Sequence, residues 1–160
     1  MAVEQQWKEW KNQEAGIDCY LCPLRLREHS GITLIAPLSV SVLYLGKDQR
    51  FRGHSILVLS NHETQMEALK DDLHVAFMGD LRLSMSAIRK ALLPDHMNVA
   101  LLGNSCPHLH WSIVPRYRSD SRWGKPIWED TTLQEMRHRP VTLTEAQYAE
   151  TIARIRGCLD

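Results

Sequence analysis

The sequence predicts an α+β fold: a mainly antiparallel five-stranded sheet with one long helix and a shorter helix at each end. Two kinds of observation carry this expectation. Runs of apolar and β-branched residues stand at 32–37, 40–45, 55–59, 98–102 and 108–114, separated by turn-forming or charged stretches. Between the third and fourth runs, Met66, Leu69, Leu73, Phe77, Leu81 and Ile88 recur near helical spacing until Pro94. Strands, one long helix and then more strands is the order of an α+β domain with antiparallel pairing.

Each element has its own signal. Residues 4–14 read as a short polar helix with Trp7 and Trp10 on one side, ended by Gly16, and packing is its expected role. Beyond the Cys19/Cys22 turn, residues 46–53 are charged and turn-like, and form a loop between the second and third strands. Thr64 with Glu67 is a capping-box pattern that would open the long helix, and Gly79 is its weak point. A Gly103-Asn104-Ser105 turn separates the last two strands. Residues 116–139 hold no sustained period and read as an ordered arm or loop. A second Thr-x-x-Glu pattern, Thr142 to Glu145, opens a C-terminal helix with Tyr148, Ile152, Ile155 and Leu159 along one side.

With 160 residues, 44% of them hydrophobic, the chain has apolar material for one core and is expected to be a single domain. Nineteen basic residues balance nineteen acidic ones. No general field therefore calls for a long nucleic acid or an anionic membrane, and phosphate recognition would have to be local. The N-terminus lacks an apolar signal core and no run approaches the length of a membrane span, so a soluble cytoplasmic protein is expected. In a reducing compartment, close cysteines such as Cys19 and Cys22 more often bind metal or do redox work than staple a fold.

The chemistry concentrates in residues 103–116. Alternation along a strand points His108, His110 and Ser112 one way and Leu109, Trp111 and Ile113 the other. Just before them, the Gly-Asn-Ser turn can offer backbone amides and two short polar side chains to an anion. An imidazole with one nitrogen held as a donor keeps a lone pair on the other and can attack phosphorus. Alternating histidines also occur simply as surface or hydrogen-bonded core groups, and both readings stand on the pattern alone.

His108-Leu109-His110-Trp111, preceded by the Gly-Asn-Ser turn and followed by Pro115-Arg116-Tyr117, resembles the signature of the histidine-triad (HIT) family. The resemblance extends to Cys19-x-x-Cys22, to the apolar strand ending at His62, to Asn98, and to the Arg-rich stretch ending at Trp128; it covers residues 17–128. Residues 1–16 are then an N-terminal helical extension of a HIT-like domain, and 129–160 a C-terminal loop and helix. It implies that His110 is a nucleophile that attacks the α-phosphate of a nucleotide and becomes nucleotidylated. It also implies phosphate contacts from Asn98, Asn104 and Ser105, a homodimer, and a structural zinc ion held by Cys19, Cys22, His62 and His108. Cys106 is an alternative ligand.

In one respect the sequence departs from the family pattern. Ser112 stands where the family has its third histidine, and a hydroxyl carries no positive charge and is a poor general acid near neutral pH. Hydrolysis, nucleotidyl transfer and nucleotide binding without turnover all remain open on that ground. The resemblance further implies a nucleoside pocket near the first strands, with Asp48 on the ribose and Tyr44 beside the base, although a charged loop residue and ordinary strand core are equally plain readings of the two. Arg116, Arg118, Arg122 and Lys125, interleaved with Tyr117, Trp123 and Trp128, suit either a distal phosphate or a dimer interface. The remaining histidines, His29, His54, His74, His96 and His138, are expected to be surface or packed groups.

Overall fold

The computed structural model describes residues 3–22, 31–120, 123–125 and 141–159. The sequence readings that fall on Arg122, Trp128, His29 and His138 lie outside the described residues. In chain order the elements are α1 (Val3–Glu14), β1 (Ile32–Pro37), β2 (Ser41–Gly46), β3 (Ser55–Leu59), α2 (Asp71–Leu92), β4 (His96–Leu101), β5 (His110–Arg116) and α3 (Glu145–Arg156). The strands form one sheet in the order β1-β2-β3-β5-β4, and every neighbouring pair is antiparallel. The α+β, five-stranded expectation holds. Among the described residues, no helix is long and apolar enough to cross a membrane.

The register explains how the core is divided. Leu43, Leu45, Leu57, Leu59 and Ile113 are buried in the same cluster as Phe77, Leu81, Ile88 and Leu92 of α2. Those helix positions are spaced by four, seven and four residues, so one stripe of α2 lies on the sheet. Phe77 meets Trp111 of β5 with ring centroids 6.4 Å apart. A second cluster, with Val42, Tyr44, Val58, Cys19 and Cys106, gathers the alternate strand positions. Because β5 pairs with both β3 and β4, the strand that begins at His110 is hydrogen-bonded along both edges.

The long helix starts later than its sequence pattern suggests. Met66–Ala68 form a single 3-10 turn, and Leu69 and Lys70 are extended before α2 begins at Asp71. The interruption lets Leu69 drop into the core, where it is 9% exposed, instead of following the helical path opened by Thr64 and Glu67. Asp71 and Asp72 then favour the positive end of the helix dipole. At the other end of the chain the capping box is real but two residues further on, with Thr144 and Gln147 exchanging the two bonds.

Tertiary ties fix the helices against the sheet. The Asp80 carboxylate, buried within α2, accepts hydrogen bonds from Ser41 Oγ (2.6 Å) and from the backbone amides of Val40 (3.0 Å) and Ser39 (3.3 Å). It thereby clamps the β1–β2 turn. On α3, the Arg156 guanidinium donates to the Ile35 carbonyl at 2.8 and 2.6 Å, Arg154 donates to Ala91 O, and the Tyr148 hydroxyl bonds the Lys47 carbonyl. Replacing a buried, charge-accepting carboxylate leaves donors unsatisfied, so Asp80→Ala is expected to destabilise the fold by about 3 kcal/mol. Urea denaturation checks this, and an unchanged midpoint would mean that the turn is held without Asp80.

Candidate functional site

Three separate pieces of chain converge at the N-terminal end of β5. Cys19 and Cys22 come from the turn after α1, His62 from the segment after β3, and His108 from the residues leading into β5. Their Sγ and ring-nitrogen atoms all lie within 4.8 Å of one another. His62 Nδ1 is 3.3 Å from His108 Nδ1, Cys22 Sγ lies 3.1 Å from His62 Nδ1 and 3.5 Å from His108 Nδ1, and Cys19 Sγ lies 3.4 Å from His108 Nδ1. A tetrahedron with metal–sulfur bonds of roughly 2.3 Å and metal–nitrogen bonds of roughly 2.0 Å has edges of roughly 3.3–3.8 Å. The four separations above, from 3.1 to 3.5 Å, lie close to the nitrogen–nitrogen and sulfur–nitrogen edges of that figure.

The outer nitrogens set the tautomers. His108 Nε2 donates to the Leu59 carbonyl at 2.8 Å, and His62 Nε2 donates to the Glu14 carbonyl at 3.1 Å. Each ring therefore carries its proton away from the cluster and turns a lone pair on Nδ1 into it. Two thiolates and two imidazoles at this spacing suit a tetrahedral divalent ion, with no open position for a reacting group. Cys106 is buried but is not one of the four; burial, and next the neighbouring Cys19, push its thiol up to about 11.

His110 stands one strand step beyond this cluster and does something different. Its Nδ1 donates to the His108 carbonyl at 2.7 Å, which leaves the Nε2 lone pair uncommitted to that bond. Burial pulls its pKa below the ordinary value, with the His108 carbonyl opposing that effect. His110 lines a cleft of about 540 Å³ together with Gly103, Asn104, Thr64, Gln65, Trp7 and Trp10. Among the described residues, the backbone amides of Asn104 and Ser105 have no hydrogen-bond partner.

Other residues singled out from the sequence lie elsewhere. Ser105 is exposed and sits beside the Tyr20 phenol. Asn98 pairs across from Val114, four residues and roughly 13 Å along β5 from His110, where its side chain accepts a hydrogen bond from Arg116. It borders a second cleft with Arg116, Trp123 and Lys125. Tyr44 is buried to 1% exposure within the second core cluster. Asp48 is occupied by the Arg50 side chain and by the backbone amides of Arg50 and Val141. Ser112 does not line the His110 cleft; its hydroxyl lies 2.9 Å from His54 Nε2.

Sequence reasoning passed over His54 and the two tryptophans. His54 precedes β3 on the alternation of Ile56 and Val58, and Ile56 is the register partner of Ser112, so the contact becomes visible only once the strands are paired. For Trp7 and Trp10 the three-residue spacing marks a shared helix face, but what that face meets is a tertiary fact.

The sequence matches no family model and no curated protein. The structure does match solved proteins. It aligns with a histidine triad protein from Bradyrhizobium japonicum at TM-score 0.72 and 22% identity, covering 84% of this chain and 98% of that one. A histidine triad protein from Marinobacter aquaeolei aligns at TM-score 0.70 and 24% identity, covering 81% and 90%. A zinc-bound histidine triad family protein from Mycobacterium smegmatis aligns at TM-score 0.58 and 17% identity, covering 89% and 93%. The chain has the histidine-triad fold.

Two outcomes are expected from this geometry. Protein purified without chelator should contain about one zinc per chain by elemental analysis, and Cys19→Ser combined with Cys22→Ser should lose it and melt several degrees lower. Retention of stoichiometric zinc by that variant would remove the two thiols from the site. Separately, burial, with Arg50 adding and Asp48 opposing, pushes His54 from 6.5 down to about 4. Below pH 6.5 the unfolded chain takes up a proton that the folded protein refuses, so the stability contributed by neutral His54 is full above 6.5 and is lost as pH falls towards 4. In denaturation midpoints across that window, His54→Gln should show a shallower pH slope than the wild type; parallel profiles would refute the assignment.

Proposed function

We propose that this chain is a HIT-type nucleotide-binding enzyme, a hydrolase or nucleotidyltransferase that acts at the α-phosphate of a nucleotide through His110. The observation that carries the reading is the His110 ring itself: tautomer set by the 2.7 Å bond to the His108 carbonyl, with the other nitrogen left for a cleft beside unpaired amides. That combination is what nucleophilic attack on phosphorus requires.

In the proposed step, the His110 Nε2 lone pair forms a bond to the α-phosphorus while the bond from phosphorus to the leaving oxygen or nitrogen breaks. The leaving group departs with that electron pair and takes a proton from solvent or a cleft donor. Water, or another acceptor hydroxyl, then attacks the phosphorus of the nucleotidylated His110 and loses its proton, while the bond from phosphorus to Nε2 breaks and its electron pair returns to the imidazole. Asn104, which lines the cleft on the turn before the strand, would stabilise the charge that develops on the phosphoryl oxygens, while Ser105, beside the Tyr20 phenol, lies outside that lining. A dinucleoside polyphosphate or a nucleoside phosphoramidate presents the required group.

The cysteine–histidine cluster is proposed to hold a structural zinc, which would supply cross-linking and no Lewis acidity to the reaction. This chain's own residues do the rest: the Leu59 and Glu14 carbonyls orient the ligand rings, and the His108 carbonyl orients His110. Cysteines that serve a metal site rather than a disulfide accord with a cytoplasmic setting. The 160 residues are read as one domain. The outer edge of β4, with Val99 exposed, supports pairing of two copies into a homodimer.

A second reading, binding of a nucleotide with little or no turnover, draws on Ser112. It is bonded to His54 and contributes no third imidazole to the cleft. Mass spectrometry after mixing with an adenylyl donor distinguishes the two. The enzyme reading expects one added nucleotide on His110, absent in His110→Ala and accompanied by a loss of turnover of at least a thousandfold. An unlabelled wild type that still binds the donor would establish the second reading instead.

A further inference from the structure

The cleft beside His110 has an aromatic wall that nothing so far uses. Trp7 and Trp10 stack on each other with centroids 5.3 Å apart and planes within 4°, and both line the cleft. Trp10 Nε1 donates to the Gly103 carbonyl at 2.7 Å, which anchors α1 to the turn that precedes His110. About one helical turn beyond Trp10, the carbonyl of Glu14 accepts the His62 hydrogen bond, so the far end of α1 is tied to the cysteine–histidine cluster. The indole pair is therefore fixed relative to the nucleophile at both ends.

Trp7 is nevertheless 57% exposed. One of its faces is taken by Trp10, and Lys11 sits at the pair with its ammonium 5.1 and 5.4 Å from the two ring centroids. A helix that only needed anchoring would not require a second indole held open beside the first. An exposed, preoriented indole next to a phosphate-reactive imidazole has the geometry of a stacking platform, because a base of any identity presents a π-face. Of the residues expected to hold the nucleoside, Tyr44, placed beside the base, is buried, and Asp48, placed on the ribose, is engaged by Arg50.

Resting on the nucleotide reading above, we propose that Trp7, braced by Trp10, is the base-recognition platform of this site and stacks the planar base of the bound nucleotide. The ligand class is thereby narrowed to compounds that carry a heteroaromatic ring on the α1 side of the reactive phosphorus. Stacking is tolerant of base identity, so adenine and guanine donors should be used with similar efficiency.

The test is titration of adenylyl donor against the rate of His110 labelling, together with AMP affinity by calorimetry. Trp7→Ala should raise the half-saturating donor concentration and weaken AMP binding roughly tenfold, with a smaller effect on the maximal labelling rate. Trp7→Phe, which keeps a π-face, should recover most of the loss. Unchanged affinity in Trp7→Ala, with wild-type labelling intact, would overturn the platform and leave the nucleotide reading standing. So would an equal fall in affinity and maximal rate that Trp7→Phe did not repair, since that is the mark of a helix that merely props the turn. A wild type that neither binds AMP nor becomes labelled would remove both readings together.

Discussion

The constraint on which the site depends is the meeting of four donor atoms from three distant stretches of chain. Cys19 and Cys22, His62, and His108 are separated by loops whose closure costs entropy, and no local preference brings them together. What holds the rings in place is their outer hydrogen bonding. The Leu59 carbonyl takes the proton of His108 and the Glu14 carbonyl that of His62. Both Nδ1 lone pairs are thereby aimed inward, and the donor set is organised before any ion arrives. An ion bound there would add stability to the whole assembly, since the unfolded chain cannot offer the same geometry.

From that cluster the geometry propagates one residue at a time along the chain. His108 is committed by its ring to the cluster and by its carbonyl to His110, and the strand that starts at His110 is gripped by β3 and β4. A single peptide thus joins a group whose work is structural to one suited for chemistry. The two histidines, alike in sequence and two positions apart, differ in setting: one ring meets sulfur and the other meets a cleft.

Ser112, which stands where the histidine-triad pattern resembled by this sequence has its third histidine, has a partner of its own. Ser112 faces His54 across the β3–β5 pairing, in a setting where burial keeps that imidazole neutral. The wall that α1 gives the His110 cleft comes from an element that composition alone describes as a polar extension.

The sequence by itself determined the class of fold and the five strands, which follow from local periodicity. The ligand quartet and the role proposed for His110 came from the resemblance of the Cys-x-x-Cys pair and the His-x-His strand to the histidine-triad pattern. Only the tertiary structure decided where the long helix begins, because burial of Leu69 outweighed the cap at Thr64. Strand register and helix docking likewise decided that Asn98 and Tyr44 lie away from His110, that Ser112 belongs to His54, and that Trp7 overlooks the cleft. Contacts between residues far apart in sequence are selected by packing of the whole chain, and no window of neighbouring residues contains that information.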